Sequence, residues 1–440
     1  MNCDAWGISD GYFDIDGTWH PTSDETRARL RAAIGGARPG PPLWFVVQGT
    51  AGSLWNECRI VTEDGLDLGI VAALPTDLPL GYHRLIPVDG GPETTLIVHP
   101  GRCPDIPRAW GAATQLASLW SERSWGIGDL GDLRTLCASL HQAGGRTLLI
   151  SPLHQPAPSL PQEPSPYYPS SRRHLSPLAI AIEGDPASEL WCRPDELIDR
   201  DAAWTAKRAA LEALFEIEIG SGAARADFDV AMAIMSGDLV PAWNALCDRY
   251  GPDWSSWPDG LDRPDPQALT AAFASADLTR AASFHAWCQG LAHHQLAEAA
   301  ATGVAIIADL AVGFSPLGAD AWQFQDLLAL DMCLGAPPDS FTPAGQTWGI
   351  PPFVPWRLRE AGYRPFIDTI RACLQGVQAL RIDHVIGLFR QFWIPVDATP
   401  ADGAYVQFPA DELLAIVCLE ATRAGAFVIG EDLGTVEPDA

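Results

Sequence analysis

The chain has 440 residues, 47% of them hydrophobic, which is enough for large cores and suggests more than one domain. Its 28 basic and 55 acidic residues give a formal net charge of −27, so the chain repels phosphate backbones and anionic lipid surfaces. Nucleic acid and membranes are therefore not expected as partners, and a neutral or cationic ligand is favoured.

Three further features of the composition narrow the interpretation. The seventeen tryptophans suit a neutral polyhydroxylated ligand because flat apolar rings stack on sugar faces, although most of them should be core residues. The ten cysteines are scattered without a CxxC pair, and we interpret them as reduced, mostly buried thiols. No apolar run reaches about 18 residues and the first residues lack a signal-peptide pattern, so we expect a cytoplasmic protein.

Residues 1–108 are predicted to form the first domain. Thr22 and Glu25 predict a capping box at the start of a short helix. Beyond the PGPP segment at 39–42, short apolar β segments alternate with clusters of Gly, Pro and Asp, which is typical of a small antiparallel, sandwich-like domain. This domain could bind carbohydrate, but packing against the rest of the protein is the simpler interpretation.

Residues 109–440 are expected to form the second domain, in which strands and helices alternate. Helical patterns at about 183–300 interrupt this alternation and are interpreted as an insertion. Two long loops rich in proline and glycine, at 151–173 and 335–355, are expected to form binding surface. The strands of the alternation are predicted at 114–120, 146–151, 303–309, 379–387 and 426–434.

The alternation predicts an α/β fold of the (β/α)8 TIM-barrel type, incomplete, with about five barrel strands present. Helices at 129–143 and 411–423, the second preceded by a loop at 391–409, would connect parallel strands. A barrel of this kind brings the carboxyl ends of its strands to one rim, so residues at those ends should lie near one another.

Charged residues lie at the ends of three of these strands, and the strand at 303–309 ends in Asp309. Arg381 and Asp383 lie on one face of the strand at 379–387, so a guanidinium is held beside a carboxylate and keeps it ionised. An ionised, oriented carboxylate at the end of a buried strand is what a glycosidase nucleophile requires, although a structural ion pair is the simpler alternative. The strand at 426–434 ends in Glu431, and this further carboxylate at the same edge favours the catalytic interpretation.

Five longer motifs also stand out along the chain. They are SERSWGIGDLGDL (121–133), SPYYPSSRR (165–173), GAPPDSFTPAGQTWGIPP (335–352), LRIDHVIGLFRQFW (380–393) and GEDLGTV (430–436). Together they resemble the motifs of the 4-alpha-glucanotransferases, the family of amylomaltase and disproportionating enzyme, over roughly residues 110–440. The resemblance implies an enzyme that transfers α-1,4-glucan segments between maltooligosaccharides, without a metal or other cofactor.

The resemblance also implies a retaining, double-displacement mechanism. Asp383 would attack the anomeric carbon, and Glu431 would first protonate the leaving oxygen and then act as the base. This requires a low pKa for Asp383, a raised pKa for Glu431 and carboxylates about 5 to 5.5 Å apart. Asp432 would point to the opposite face of a regular strand and is not expected to be catalytic.

Further sugar-binding residues are implied by the same resemblance. Tyr167 would stack on the sugar at the cleavage point, with loop packing as its alternative role. The loop 335–355, which carries Phe341, Trp348 and Phe353, would form a lid that favours a sugar acceptor over water. The residues expected to bind substrate are Tyr167, Asp309, Asp339, Trp348, Arg381 and His384.

The chain departs from the family pattern at two places. Around Asp309, Ala308 and Ala311 stand where the family usually has Gly and Pro. No later His-Asp motif supplies the third carboxylate of the family, and about three barrel strands are missing with it. We therefore expect little activity and an exposed sheet edge, with a non-catalytic remnant that at most binds glucan, or an α-glucan hydrolase, as the alternatives. The sequence carries no signal for an oligomeric state.

Overall fold

The computed structural model describes residues 2–14, 17–36, 40–184, 197–339 and 342–433. Their contacts divide the chain into two units, each assembled from separate stretches of sequence. Unit 1 consists of Met1–Pro107, Leu327–Leu374 and His384–Ala440, and unit 2 consists of Arg108–Asp326 and Gln375–Asp383.

The described residues form the following strands and α-helices. In chain order the strands are β1 Gly11–Phe13, β2 Trp19–Pro21, β3 Leu43–Val47, β4 Gly52–Val61, β5 Asp67–Leu74, β6 Gly81–Pro87, β7 Thr94–His99, β8 Gly111–Thr114, β9 Thr147–Ile150, β10 His154–Gln155, β11 Ser171–Leu175, β12 Ala305–Leu310, β13 Met332–Ala336, β14 Gln346–Thr347, β15 Ala379–Ile382, β16 Arg390–Pro395, β17 Ala404–Gln407 and β18 Phe427–Gly430. The helices are α1 Asp24–Ile34, α2 Leu130–Gln142, α3 Arg200–Ser221, α4 Val230–Ser236, α5 Val240–Tyr250, α6 Pro266–Ala272, α7 Ala276–Ala300, α8 Ala319–Gln323, α9 Pro355–Glu360, α10 Arg364–Leu374 and α11 Ala410–Ala424.

Unit 2 is built on four parallel strands in the order β8-β9-β12-β15. Four predicted strands are therefore parallel neighbours, although the prediction for the first of them was misplaced. It begins at Gly111, and Leu116–Ser118 form a 3-10 turn where the strand was expected to continue. Gly111 permits this start because a Cβ atom there would lie 1.9 Å from the carbonyl oxygen of Thr147 on β9.

Helices α2 and α7 contribute to the main core of unit 2. Cys137 of α2 and Cys288 of α7 lie in one buried cluster with Leu148 of β9 and Ile306 of β12. The stretch predicted to be helical, 183–300, contains α3 to α7, while residues 185–196 lie outside the described residues. A second core contains Trp243, Trp254 and Trp257 of this stretch together with Trp322 of α8.

Strands β3 to β7 of unit 1 form one five-stranded sheet in the order β3-β7-β6-β4-β5, and β1 and β2 pair separately. The expected antiparallel sandwich is corrected here, because among the described residues β3 to β7 make a single sheet and its β3–β7 pair is parallel. The helix prediction is also displaced by one position. Ser23, and not Thr22, is the N-cap of α1, and its hydroxyl accepts a hydrogen bond from the backbone N–H of Thr26.

A second sheet of unit 1 occupies segments that were predicted to be loops. The order is β14-β13-β16-β17, and all three pairs are antiparallel. The expected loop 391–409 contains most of β16 and all of β17, and the expected loop 335–355 contains β14. Their proline and glycine content suggested irregular structure, but apolar residues of β16 and β13 form a core that includes Phe392, Ile394 and Cys333.

Candidate active site

The polar groups at the strand ends of unit 2 contact one another directly. Asp309 on β12 and Arg381 on β15 are partners in the parallel register, so their side chains leave the sheet at the same level. The Arg381 Nη1 group lies 2.5 Å from Asp309 Oδ1 and Nη2 lies 3.0 Å from Asp383 Oδ1. One guanidinium therefore bridges two carboxylates, and Asp309, at 5% exposure, is the more buried of them.

Tyr167 extends this chain of contacts from the loop between β10 and β11. Its hydroxyl donates a hydrogen bond of 2.8 Å to Asp309 Oδ2, while 39% of the residue remains exposed to solvent. Burial, followed by the hydrogen bond to Asp309, raises the pKa of Tyr167, so the hydroxyl keeps the proton that it donates. The hydroxyl end of Tyr167 is thus fixed while part of the residue stays exposed, as stacking on a sugar requires.

The same contacts keep Arg381 charged. Burial alone would lower the pKa of Arg381, but the hydrogen bond to Asp309 and the charge of Asp383 outweigh burial and raise it. A permanently charged guanidinium stabilises the ionised form of any carboxylate that it contacts. The predicted arrangement of Arg381 beside Asp383 is therefore present, although β15 ends at Ile382 and Asp383 follows the strand.

A cavity of about 770 Å³ opens beside these residues within unit 2. Its volume lies in the range of sites that hold small-molecule ligands. Tyr167, Asp309 and Arg381 line it together with apolar residues such as Leu153 and Pro166. The cavity therefore combines an exposed aromatic ring, a carboxylate and a guanidinium on mainly apolar walls.

Three residues that sequence reasoning missed hold the segment after Asp309 in place. Arg172 Nη1 donates to the carbonyl oxygens of Ala311 and Val312 at 3.0 and 2.9 Å. His154 Nε2 accepts from the backbone N–H of Ala311 at 3.2 Å. Burial, followed by the charge of Arg172, lowers the pKa of His154 to about 3, so this imidazole is neutral.

The third of these residues, Asp320, fixes the strand that carries Arg172. Its carboxylate accepts hydrogen bonds from the hydroxyl of Ser171, the backbone N–H of Arg172 and Nε of Arg173, at 2.8 to 3.0 Å. Asp320 is 1% exposed, so these bonds replace its hydration. The SSRR end of the motif at 165–173 was the available signal, but its partner lies far along the chain.

Glu431 and His384 lie together in unit 1. Glu431 directly follows β18, and its Oε2 accepts a hydrogen bond of 2.9 Å from the backbone N–H of His384, the residue after Asp383. Its Oε1 accepts from the backbone N–H of Leu433 at 2.5 Å. Two backbone donors therefore orient this carboxylate, whereas the neighbouring Asp432 is exposed.

His384 lies two residues after the end of β15, and its imidazole faces an aromatic ring. Its φ of 48° lies in the left-handed region, so the strand cannot continue to 387 as predicted. Burial lowers the pKa of His384 against the opposing effect of Glu431. The Trp348 ring meets the imidazole edge to face, with 5.2 Å between ring centroids, and Trp348 Nε1 donates to Gln346 Oε1 at 3.0 Å.

Of the remaining predicted residues, Asp339 and Phe341 belong to the segment between β13 and β14, and Phe353 follows β14. Asp339 Oδ1 accepts a hydrogen bond of 2.5 Å from the backbone N–H of Thr342. Phe341 lies outside the described residues, and Phe353 forms an isolated β-bridge with Leu328. The predicted residues thus form two sets, Tyr167, Asp309, Arg381 and Asp383 in unit 2, and Asp339, Trp348, His384 and Glu431 in unit 1.

No three histidine, cysteine, aspartate or glutamate side chains of the described part of the chain come together as metal ligands. Within the same residues, no helix is both long enough and apolar enough to cross a bilayer.

Parallel strands that end in carboxylates beside an exposed aromatic ring are typical of enzymes that act on glycosidic bonds. Comparison with known proteins agrees with this class. A family model described as 4-alpha-glucanotransferase matches residues 114–440, and the chain belongs to this family. The family resemblance carried by the five motifs is therefore confirmed.

Individual relatives support the assignment. A 4-alpha-glucanotransferase of Mycobacterium bovis is 45% identical over 405 residues, which cover 83% of this chain and 55% of the relative. One of Haemophilus influenzae is 35% identical over 422 residues, covering 84% of this chain and 59% of the relative. The chain thus spans between half and three fifths of the length of these curated relatives.

Solved structures give the fold. The amylomaltase of Corynebacterium glutamicum superposes with a TM-score of 0.78 at 32% identity, covering 99% of this chain and 72% of that one. An amylomaltase of Streptococcus agalactiae in complex with acarbose gives a TM-score of 0.63 at 22% identity, covering 76% and 70% of the two chains. The fold is therefore the mixed α/β fold of the amylomaltases.

Proposed function

We propose that the protein transfers α-1,4-glucan segments between maltooligosaccharides by a retaining double displacement. Membership of the 4-alpha-glucanotransferase family supports the reaction class. The observation that carries the proposal is the chain of contacts Tyr167–Asp309–Arg381–Asp383 beside a cavity of about 770 Å³, since it supplies a charged, oriented carboxylate and a free aromatic face together.

In the first displacement, Asp383 attacks the anomeric carbon of the donor sugar, and the bond to the leaving oxygen breaks. Arg381 holds the attacking carboxylate through its Nη2 group. Glu431 gives its proton to the leaving oxygen, and the shortened glucan departs with that proton. A glucan segment is then bound covalently to Asp383, with inverted configuration.

In the second displacement, the 4-hydroxyl of another glucan attacks the same carbon. Glu431, now ionised, takes the hydroxyl proton, and the bond to Asp383 breaks. Two inversions restore the α configuration, so one α-1,4 bond replaces another. Tyr167 and Asp309 are proposed to orient the sugar at the cleavage point, with Trp348, His384 and Asp339 contacting neighbouring glucose units.

The architecture around this chemistry is proposed to be of the (β/α)8 barrel type. The parallel order β8-β9-β12-β15 and the superposition on an amylomaltase support it. In such a barrel the substrate lies at the carboxyl ends of the strands. Asp309, Arg381 and Asp383 lie at those ends.

The test is incubation of the purified protein with maltotriose. Transfer produces glucose and a ladder of longer maltooligosaccharides while the number of reducing ends stays constant, because each broken bond is replaced. Hydrolysis instead adds one reducing end for every bond broken. A rising count without a ladder would replace the proposal with an α-glucan hydrolase.

Affinity for acarbose distinguishes a non-catalytic glucan-binding protein from a transferase or a hydrolase. Calorimetry with acarbose, the ligand in the Streptococcus agalactiae amylomaltase structure, measures glucan-site binding without turnover. Binding of acarbose with neither ladder nor hydrolysis would identify a non-catalytic protein that at most binds glucan. The Asp383→Asn variant serves as the inactive control in every activity assay.

A further inference from the structure

Two cysteines of unit 1 meet although they lie 315 positions apart in the sequence. Cys103 follows β7 and Cys418 lies in the second half of α11, and their sulfur atoms are 3.3 Å apart. Both side chains are partly exposed, whereas Cys58 and Cys333 of the same unit are buried. A disulfide bond requires sulfurs about 2.0 Å apart, so an approach of little more than 1 Å would join them.

A cavity gives small molecules access to this pair. It has a volume of about 460 Å³ and lies between the edge of the N-terminal sheet and α11, all within unit 1. Phe45, His99 and Gly101 line it on one side, and Glu412 and Cys418 line it on the other. A small-molecule disulfide therefore has room to reach the sulfur of Cys418.

The two thiols also differ in access. Cys418 lines the cavity, so an incoming disulfide meets its sulfur first, and the contact with Cys103 lowers the pKa of Cys418 against the effect of burial. The thiolate is the attacking form in disulfide exchange. Cys418 is thus the first to react, and Cys103 is placed to complete the exchange.

We propose that Cys103 and Cys418 are a redox modification site, at which exchange with a small-molecule disulfide forms a reversible intramolecular disulfide. The Cys418 thiolate attacks one sulfur of the small molecule, which forms a mixed disulfide and releases one small thiolate. Cys103 then loses its proton and attacks the Cys418 sulfur, releasing the second small thiolate. The protein loses two electrons and two thiol protons, and the small disulfide is reduced to two thiols.

The new bond would connect the segment after β7 to α11, the helix that precedes β18 and Glu431. A cross-link between positions so far apart restricts the unfolded chain strongly, and disulfides of this kind typically stabilise the folded state. For a chain of this size we expect oxidation to raise Tm by about 4 °C. Reduction with dithiothreitol should reverse the increase.

The experiment treats the purified protein with oxidised glutathione and follows it by non-reducing peptide mass spectrometry and thermal unfolding. A peptide linked through Cys103 and Cys418, a loss of two free thiols and a raised Tm are expected. In Cys103→Ser a glutathione adduct should accumulate on Cys418, while Cys418→Ser should leave Cys103 largely unmodified. Cys373→Ser, which alters another partly exposed cysteine of unit 1, is the control and should oxidise like the wild type.

Two results would overturn the proposal. One is the persistence of both thiols after prolonged oxidation of the folded protein. The other is a linked peptide in which either cysteine pairs with a different partner. Both readouts are independent of catalytic activity, so the proposal stands or fails separately from the proposed function.

Discussion

The two sets of candidate residues are held in different ways. In unit 2, side chains hold side chains, since Arg381 bridges Asp309 and Asp383 and Tyr167 binds Asp309. In unit 1, the backbone orients the Glu431 side chain, because the N–H groups of His384 and Leu433 donate hydrogen bonds to its carboxylate. In the proposed mechanism, unit 2 would supply the fixed charge beside the nucleophile and unit 1 would supply the acid and base, Glu431.

Removal of the proposed nucleophile, Asp383, is expected to have the largest effect on activity. Asp383→Asn keeps an oxygen at the position that lies 3.0 Å from Arg381 Nη2 but removes the negative charge and the attacking group. We expect turnover of maltotriose to fall by at least about 10⁴-fold, with acarbose affinity changed only a few-fold. Asp326→Asn makes the same chemical change at an exposed position of unit 2 and should have no effect. Unchanged turnover in Asp383→Asn would place the nucleophile elsewhere.

The effect of replacing Glu431, the proposed acid and base, should depend on the leaving group of the substrate. Glu431→Gln keeps one oxygen for the backbone donors but cannot donate an acidic proton, so turnover of maltotriose should fall by about 10³-fold. Formation of the covalent intermediate from α-glucosyl fluoride should be much less impaired, because fluoride leaves without protonation. Rapid-quench measurement of fluoride release tests this, with Asp432→Asn as the control. Equal losses with both substrates would exclude an acid role for Glu431.

The strand-end residues were the part of the site most accessible from sequence. A buried strand that turns polar at its end identifies Asp309, Arg381 and Asp383 without knowledge of any distant contact, because parallel strands end at one edge. The predicted strands at 146–151, 303–309 and 379–387 correspond to β9, β12 and β15. What the pattern could not supply was the exact end of β15, which depends on the left-handed conformation of His384.

The supporting residues were not accessible in this way. Asp320 binds Ser171 and Arg173 across about 150 positions of sequence, and nothing in the local pattern distinguishes it from a surface carboxylate. The second sheet of unit 1 was missed for a related reason. Strand β16 is paired with β13, some 60 positions earlier, and local proline content outweighed its short apolar run.

The buried His154 allows a test of the contacts that hold the segment after Asp309 in unit 2. Its pKa is about 3 in the folded protein and about 6.5 when unfolded, so between these values the unfolded chain binds a proton that the folded protein does not. Stability should therefore fall as the pH decreases below about 6.5 and be unaffected by this residue above it. His154→Gln can keep a hydrogen bond with the Ala311 N–H but removes the titration.

Urea unfolding at pH 7, 6, 5 and 4.5 measures this contribution. Relative to His154→Gln, the wild type should lose about 1.4 kcal/mol more of its unfolding free energy for each pH unit between 6 and 4.5, which corresponds to one proton. Other histidines and carboxylates titrate in both proteins and cancel in the difference. Parallel curves for the two proteins would show that His154 titrates normally in the folded state.

The smallest effect concerns Tyr167, whose hydroxyl and ring can be separated. Tyr167→Phe removes the hydrogen bond to Asp309 but leaves the half-exposed ring, and Asp309 is still held by Arg381. One lost hydrogen bond is worth about 1 kcal/mol, so KM for maltotriose should rise about fivefold with kcat nearly unchanged. Tyr167→Ala also removes the stacking face and should raise KM by a further factor of about 10. Equal KM values for Tyr167→Phe and Tyr167→Ala would mean that the ring contributes nothing, and that Tyr167 acts only by holding Asp309 within the network of unit 2.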